Sequence, residues 1–164
     1  MPDRIDHIFI DEINAHLGIA HKVSRIYFPD EDDRKDALQE MMYQLWKSYP
    51  GFDRRSKFST WMYSVCLNTA LSYQRRSKKQ HTESISLMHH EIPDRPQADR
   101  DESIDLLLKA ISILSPLNKA IVLLYLEGMS YDEIAEITGL TKSNVSVKLV
   151  RIKKELEKIL KEKN

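Results

Sequence analysis

Residues 130–154 read SYDEIAEITGLTKSNVSVKLVRIKK, and their reading decides the fold. Ser130 followed three residues later by Glu133 is a capping box, in which two side chains satisfy free N–H groups at a helix start. The short helix it opens runs through about Glu136 and is closed by Gly139, because glycine accepts the left-handed conformation common at helix ends. Thr141 caps a second, longer and basic helix. Short helix, Gly-Leu-Thr turn and long basic helix form the pattern of a helix-turn-helix. On the longer helix Val145, Leu149, Ile152, Leu156 and Ile159 share one side, which predicts packing against Ile134, Ile137 and the preceding helix. Ser143, Asn144, Val147, Arg151 and Lys154 then point outward. Small and polar side chains at the N-terminal end of a protruding helix suit the major groove, where Asn and Ser read base edges and a valine methyl meets thymine. Lys142, Lys148 and Lys153 suit phosphates, which fix register without reading sequence. The competing reading is an ordinary solvated helix in a bundle.

Upstream, Ser115 and Pro116 supply an N-cap and a first-turn proline for a helix that Gly128 closes, so the apolar run Ala120 to Leu126 is helix rather than buried strand. Before it, Ile104, Leu107, Leu108, Ile111 and Leu114 make one apolar stripe. Residues 77–100 hold no sustained apolar period and contain Pro93 and Pro96, the composition of a flexible linker. In the first half, Ile5, Phe9, Ile13 and Leu17 predict one helix through about Tyr27, weakened by Gly18 and ended by Pro29. Asp30 caps a second helix with Glu31, Asp32 and Asp33 at its positive end and Ala37, Leu38, Met41, Met42, Leu45 and Trp46 as its stripe. Pro50-Gly51 stops it. A third helix runs from about Lys57 to Arg76, with Phe58, Trp61, Met62, Val65, Cys66 and Thr69 on one face. With only 4 glycines in 164 residues there is little material for hairpins, and the chain is predicted all-α.

Lys plus Arg and Asp plus Glu each number 25, so the net charge is zero, but the charges are not evenly spread. Residues 53–79 carry seven basic side chains and one acidic, and residues 141–164 carry eight and three, each preceded by an acidic stretch. Two separated basic blocks predict two anionic contacts. The single cysteine, Cys66, excludes an intrachain disulfide and fits a reducing cytosol. No window approaches the roughly 18 apolar residues of a membrane span, and the first residues lack the charged and apolar regions of a signal peptide, which predicts an untargeted cytoplasmic protein without membrane insertion. His89-His90 has no Cys or second pair at ligand spacing, so no metal site is expected. Neither a nucleophile–base pair nor a phosphate loop is present, and neither enzyme activity nor a cofactor is expected.

The first basic block differs in kind. Arg54, Arg55, Lys57, Arg75, Arg76, Lys78 and Lys79 bracket Phe58, Trp61, Tyr63, Asn68 and Tyr73, mixing phosphate-neutralising charge with aromatic faces that suit unpaired bases. Phe58, Trp61, Met62 and Val65 are also what a core stripe looks like: Phe58 leans to the core, and Trp61 is read as either core or base contact.

These stretches together resemble the sigma factors of bacterial RNA polymerase, of the sigma-70 family and the compact extracytoplasmic-function (ECF) type. Asp36-Ala37-Leu38-Gln39-Glu40 through Trp46, Gly51-Phe52-Asp53, Lys57-Phe58-Ser59-Thr60-Trp61 and Asn68-Thr69-Ala70 look like region 2. Leu114-Ser115-Pro116, Tyr131 to Ala135, Val145 and Arg151-Ile152-Lys153 look like region 4. The resemblance implies two small helical domains, a three-helix region 2-like domain over residues 1–79 and a four-helix region 4-like domain over 101–164, joined by a flexible linker at 80–100. It also implies that Asp36, Gln39 and Glu40 dock on the polymerase β′ subunit, a role their polar, acidic face fits. Arg54, Arg55, Lys57, Trp61, Asn68, Arg75 and Arg76 would meet the minus-10 element and capture a flipped base. Lys142, Ser143, Asn144, Ser146, Val147, Lys148, Val150, Arg151 and Lys154 would meet the minus-35 element. Ser64 and Val65 stand where primary sigma factors carry a tryptophan pair used in melting, which leaves opening to lean on Trp61.

The partners implied are core RNA polymerase, through its β′ and β subunits, promoter DNA and an anti-sigma factor. Two other classes fit the same residues: a stand-alone helix-turn-helix regulator, which would bind a palindromic duplex as a dimer, and a helical adaptor, whose binding would show no salt-dependent DNA component.

Overall fold

A computed structural model describes residues 2–80 and 101–162, with the side chains of 2–6 and 77–80 left undefined. Residues 81–100, including His89-His90 and nearly all of the expected linker, and the side chains of Lys78 and Lys79 lie outside the described residues. The chain divides into two compact units, residues 1–91 and 92–164. The described residues form α-helices and one 3-10 turn, with no strand among them.

Unit 1 holds α1 (Pro2–Ala15), α2 (Leu17–Tyr27), α3 (Glu31–Ser48), a 3-10 turn (Tyr49–Gly51) and α4 (Phe58–Gln80). The helix expected over residues 5–27 is broken, and at His16 rather than Gly18. The His16 imidazole donates from Nδ1 to the Glu12 carbonyl (2.9 Å), while the His16 N–H reaches back only three residues, to Ile13. A side chain competing for a helical carbonyl ends the regular ladder there. Beyond the break α2, α3 and α4 all pack on one another and form the three-helix body.

The corner between α2 and α3 follows from local chemistry. Phe28, held extended by the proline after it, leaves the helix. Asp30 accepts from the Asp33 N–H at 3.0 Å, and three acidic residues fill the first turn of α3, where the helix dipole favours them. The Arg34 guanidinium donates to the carbonyls of Phe28 and Pro29, and Gln74 of α4 donates to that of Tyr27 at 2.8 Å, satisfying groups that a helix end leaves open. Where α2, α3 and α4 pack together, Ala20, Val23 and Ile26 of α2, Ala37, Met41 and Leu45 of α3 and Met62, Cys66 and Ala70 of α4 are buried. Trp46, expected in the α3 stripe, is instead 59% exposed, one residue past the narrow face that the neighbouring helices cover.

Unit 2 holds α5 (Glu102–Ile113), α6 (Pro116–Leu126), α7 (Tyr131–Thr138) and α8 (Lys142–Glu162). All the expected caps form. Ser115 accepts from Asn118 N–H, both bonds of the Ser130–Glu133 capping box are 3.1 Å, and Thr141 accepts from Asn144 N–H at 3.1 Å. Gly128 (φ 80°) closes α6 with N–H bonds from Gly128 to Tyr125 and from Met129 to Leu124, the two-bond end that glycine permits. Helix α6 buries Ala120 through Leu124 consecutively because α5, α7 and α8 surround it. The α5 stripe is narrower than its spacing predicts: Ala110, Ile111 and Leu114 are buried, but Ile104 and Leu108 are exposed on the side no described helix covers.

Candidate nucleic-acid and partner-binding surfaces

On α8 the apolar side faces inward as expected, with Val145, Leu149, Ile152 and Leu156 buried and Ile159 half-buried. Burial of these four fixes the rotation of the helix, and Ser143, Asn144, Val147, Val150, Arg151 and Lys154 share the opposite, exposed face. Val147 and Val150 are about half exposed, at 49% and 53%, one turn apart. Ser146 and Lys148 are half-buried at the two edges. Lys142 is exposed, with its Nζ 3.5 Å from Asp132 Oδ2, so this cation bridges the two helices of the motif. The left-handed Gly139 (φ 76°) makes the turn between them. Lys153 is directed elsewhere, over the ring of Tyr125 on α6 with Nζ 4.6 Å from its centre. Here is a face of small, apolar and basic groups of major-groove size on a rigid, capped scaffold.

In unit 1, Trp61, Asn68 and Arg75 fall seven residues apart along α4 and so form one stripe, with Asn68 and Arg75 exposed and Trp61 half-buried. Trp61 sits against Phe52, Phe58 and Tyr49, with ring centres 5.0, 5.4 and 6.1 Å away. It is therefore a wall of an aromatic cluster that keeps part of its surface free. The other aromatics offer less. Phe58 is buried, Tyr63 is 1% exposed, and Tyr73 packs edge-on against Phe28 at 5.3 Å, so Tyr63 presents no face to a base. Burial of Tyr63 follows from α4 being covered by both α2 and α3.

The loop 52–57 leads into this stripe. Arg55 and Lys57 are exposed, with Arg55 paired to its neighbour Asp53 at 3.0 Å. Arg54 is turned back. Its guanidinium donates to both carboxylate oxygens of Glu12 on α1, at 3.0 and 3.3 Å, and to the Tyr49 hydroxyl. Tyr49 in turn donates to Glu12 at 2.8 Å. Partial burial pushes the Glu12 carboxyl up, but the hydrogen bonds from Arg54 and Tyr49 outweigh it, and its pKa lies below the ordinary value. Partial burial and the adjacent Glu12 raise that of Tyr49. Neither partner is found by sequence spacing, since Glu12 lies 42 residues from Arg54 and 37 from Tyr49.

On α3, Asp36, Gln39, Tyr43 and Trp46 are exposed and recur on the face opposite Ala37, Met41 and Leu45. Glu40 is half-buried at the edge of that face, accepting from Gln44 at 3.1 Å and lying 3.9 Å from Arg76 of α4. Arg76 also stands over the Tyr73 ring, 5.8 Å from its centre. Among the described residues no group of three or more His, Cys, Asp or Glu side chains could hold a metal.

Comparison with known proteins assigns both units. The profile for "Sigma-70 region 2" matches residues 13–80, and that for "Sigma-70, region 4" matches residues 104–156. The RNA polymerase sigma-H factor of Bacillus licheniformis is 29% identical over 184 residues, covering 96% of this chain and 80% of that protein. The ECF RNA polymerase sigma-E factor of Haemophilus influenzae is 28% identical over 143 residues, covering 79% and 76%. Among solved structures, the sigma factor RpoE of Bartonella quintana in complex with the anti-sigma factor NepR superposes with a TM-score of 0.79 at 21% identity, over 93% of this chain and 96% of that one. CnrH, solved with the cytosolic domain of CnrY, gives 0.67 at 19% identity, over 97% and 91%. At these identities the two structures speak for the fold.

Proposed function

The chain belongs to the sigma-70 family as an ECF-type RNA polymerase sigma factor, and from that premise we propose which of its surfaces meets which partner. As a sigma factor it binds core RNA polymerase and promoter DNA and performs no reaction itself. Residues 1–79 act as the domain for core polymerase and the minus-10 element, 80–100 as the tether and 101–164 as the minus-35 domain. Asp36, Gln39 and Glu40 dock on the β′ subunit, where an acidic, polar face suits a basic partner helix. Arg55, Lys57, Arg75 and Arg76 neutralise phosphates of the minus-10 strand, while Trp61 and Asn68 take an unstacked base. Stacking of about 1–3 kcal/mol per base offsets part of the cost of unstacking, which turns binding into opening. Ser143, Asn144, Val147, Val150 and Arg151 read the minus-35 major groove, with Lys142, Lys148 and Lys154 on phosphates and Ser146 at the edge.

The observation that carries this reading is the coexistence, in one chain, of a stripe joining half-buried Trp61 to exposed Asn68 and Arg75 beside a basic loop and of a capped helix-turn-helix with a clean outward face. We infer a cytoplasmic location from work alongside polymerase; no helix among the described residues is long and apolar enough to cross a membrane. Its likeness to RpoE, solved with an anti-sigma factor, supports a partner of that class here.

The test is run-off transcription by purified core polymerase from a promoter pool randomised over the minus-35 and minus-10 positions, with and without the chain. Selected templates sharing two elements at fixed spacing are expected. Binding of a palindromic duplex by a dimer, with no effect on polymerase, would establish the stand-alone regulator instead.

A further inference from the structure

Side chains of α1 and of the break after it meet the 3-10 turn, the loop after that turn and the first residue of α4. Phe9 packs on Tyr49 with ring centres 4.9 Å apart, His16 on Phe58 at 5.1 Å, and Glu12 holds Arg54 through two hydrogen bonds and Tyr49 through a third. Arg54 is the only described non-glycine residue with positive φ, at 61°. A left-handed arginine costs on the order of 1 kcal/mol or more and persists only where its surroundings hold it. The groups that grip its side chain are Glu12 of α1, the Tyr49 hydroxyl and the Phe52 ring. The same guanidinium stands over the Phe52 ring at 5.5 Å, and Phe52 stacks on Trp61. A continuous line of contacts therefore runs from Glu12 through Arg54 and Phe52 to Trp61, with Tyr49 touching both ends.

Building on the functional reading above, we propose that Glu12, Tyr49 and Arg54 form a brace by which α1 sets the shape of loop 52–57 and the orientation of Trp61. Arg54 is then a positioning residue rather than a phosphate contact. Glu12, an acid in unit 1, assists promoter opening without touching DNA. A loop preset in its reading conformation spares the ordering cost that a slack loop meets on binding. Two opposite expectations follow for one substitution. If Arg54 served DNA directly, Glu12→Gln would free it and strengthen binding. If Arg54 serves the loop, Glu12→Gln weakens opening.

The test uses holoenzyme on a promoter selected as above, with opening read from permanganate reactivity of minus-10 thymines. Glu12→Gln and Arg54→Gln are each expected to slow opening about two- to fivefold, the range for an exposed ion pair. The double variant is expected to be no slower than the worse single one, because both remove one interaction. Tyr49→Phe, which removes only a hydroxyl, shifts opening in the same direction by less. The dependence of promoter affinity on salt keeps its slope in Arg54→Gln, whereas loss of a phosphate contact would lower it by about one. On the free chain, trypsin is expected to cut after Arg55 faster in Glu12→Gln, as a loosened loop allows. Unchanged opening and unchanged cleavage in Glu12→Gln, or a lowered salt slope in Arg54→Gln, overturn the brace. Failure of the wild-type chain to open any promoter would instead sink the functional reading on which it rests.

Discussion

Lys153 of α8 and Tyr125 of α6 are joined twice over, by a 3.2 Å hydrogen bond from the ammonium to the phenol oxygen and by the placement of that ammonium over the ring. The contact ties α8, the second helix of the helix-turn-helix, to the central helix of its unit. It also withdraws a lysine that its sequence position offers to DNA.

Lys153→Gln is therefore expected to lower the stability of unit 2 by about 0.5–1 kcal/mol, the worth of a surface cation–π contact, seen as a small shift in thermal unfolding. The salt dependence of minus-35 binding by holoenzyme should keep its slope. Arg151→Gln, on the exposed face, should lower the slope by about one while leaving unfolding unchanged.

Two glycine substitutions have opposite signs. Gly139→Ala places a Cβ on a backbone with φ 76°, where space is open but the conformation is disfavoured, and costs roughly 1 kcal/mol. Gly18→Ala, within α2 and with nothing near its Cβ, gains about 0.5–1 kcal/mol from helix propensity. Chemical denaturation of each variant reads both, and equal signs would contradict the assigned backbone at one of them.

Cys66 lies fully buried in α4, and burial pushes its thiol up to about 12. Thiolate is the reactive species, so the native chain at pH 8 should resist iodoacetamide and react at once when unfolded in urea. Alkylation of the folded protein as fast as of a free thiol would place Cys66 elsewhere.

The pH dependence of the Glu12 contribution is set by the direction of its shift. The folded pKa is below the unfolded one, so the unfolded state takes up the proton first as pH falls. Its stabilisation is fully present above the ordinary glutamate pKa and is lost as pH falls toward and through the depressed value. The stability difference between wild type and Glu12→Gln should thus be constant near neutrality and shrink on the acid side of about pH 4.5. A difference that grew with acid would reverse the assignment.

The helix-turn-helix was legible because its signals act within four residues: Ser130 on Glu133, Thr141 on Asn144, Gly139 on its own turn. The outward face of α8 followed from burial at simple helical spacing. What could not be read was width and distance. Periodicity marks a stripe but not how far neighbouring helices extend over it, so spacing puts Trp46, Ile104 and Leu108 inside though they stand outside, and Tyr63 outside though it is buried. The break at His16 depends on one imidazole finding a carbonyl four residues back. The Glu12–Arg54 pair joins residues brought together only by the assembled three-helix body, and the sequence has no local mark for it.

The 2 tryptophans of the chain occupy unlike settings, Trp46 wet and on the same face as Asp36 and Gln39, Trp61 wedged among aromatic rings in the stripe proposed to meet the minus-10 strand. The molecule thus carries two tryptophan fluorophores, one at each surface of unit 1. With Trp61→Phe in place, the red-shifted emission of Trp46 moves to the blue when a protein covers α3. With Trp46→Phe in place, Trp61 dims when a nucleobase stacks on it. Dye-free titrations can then tell enzyme assembly from strand capture.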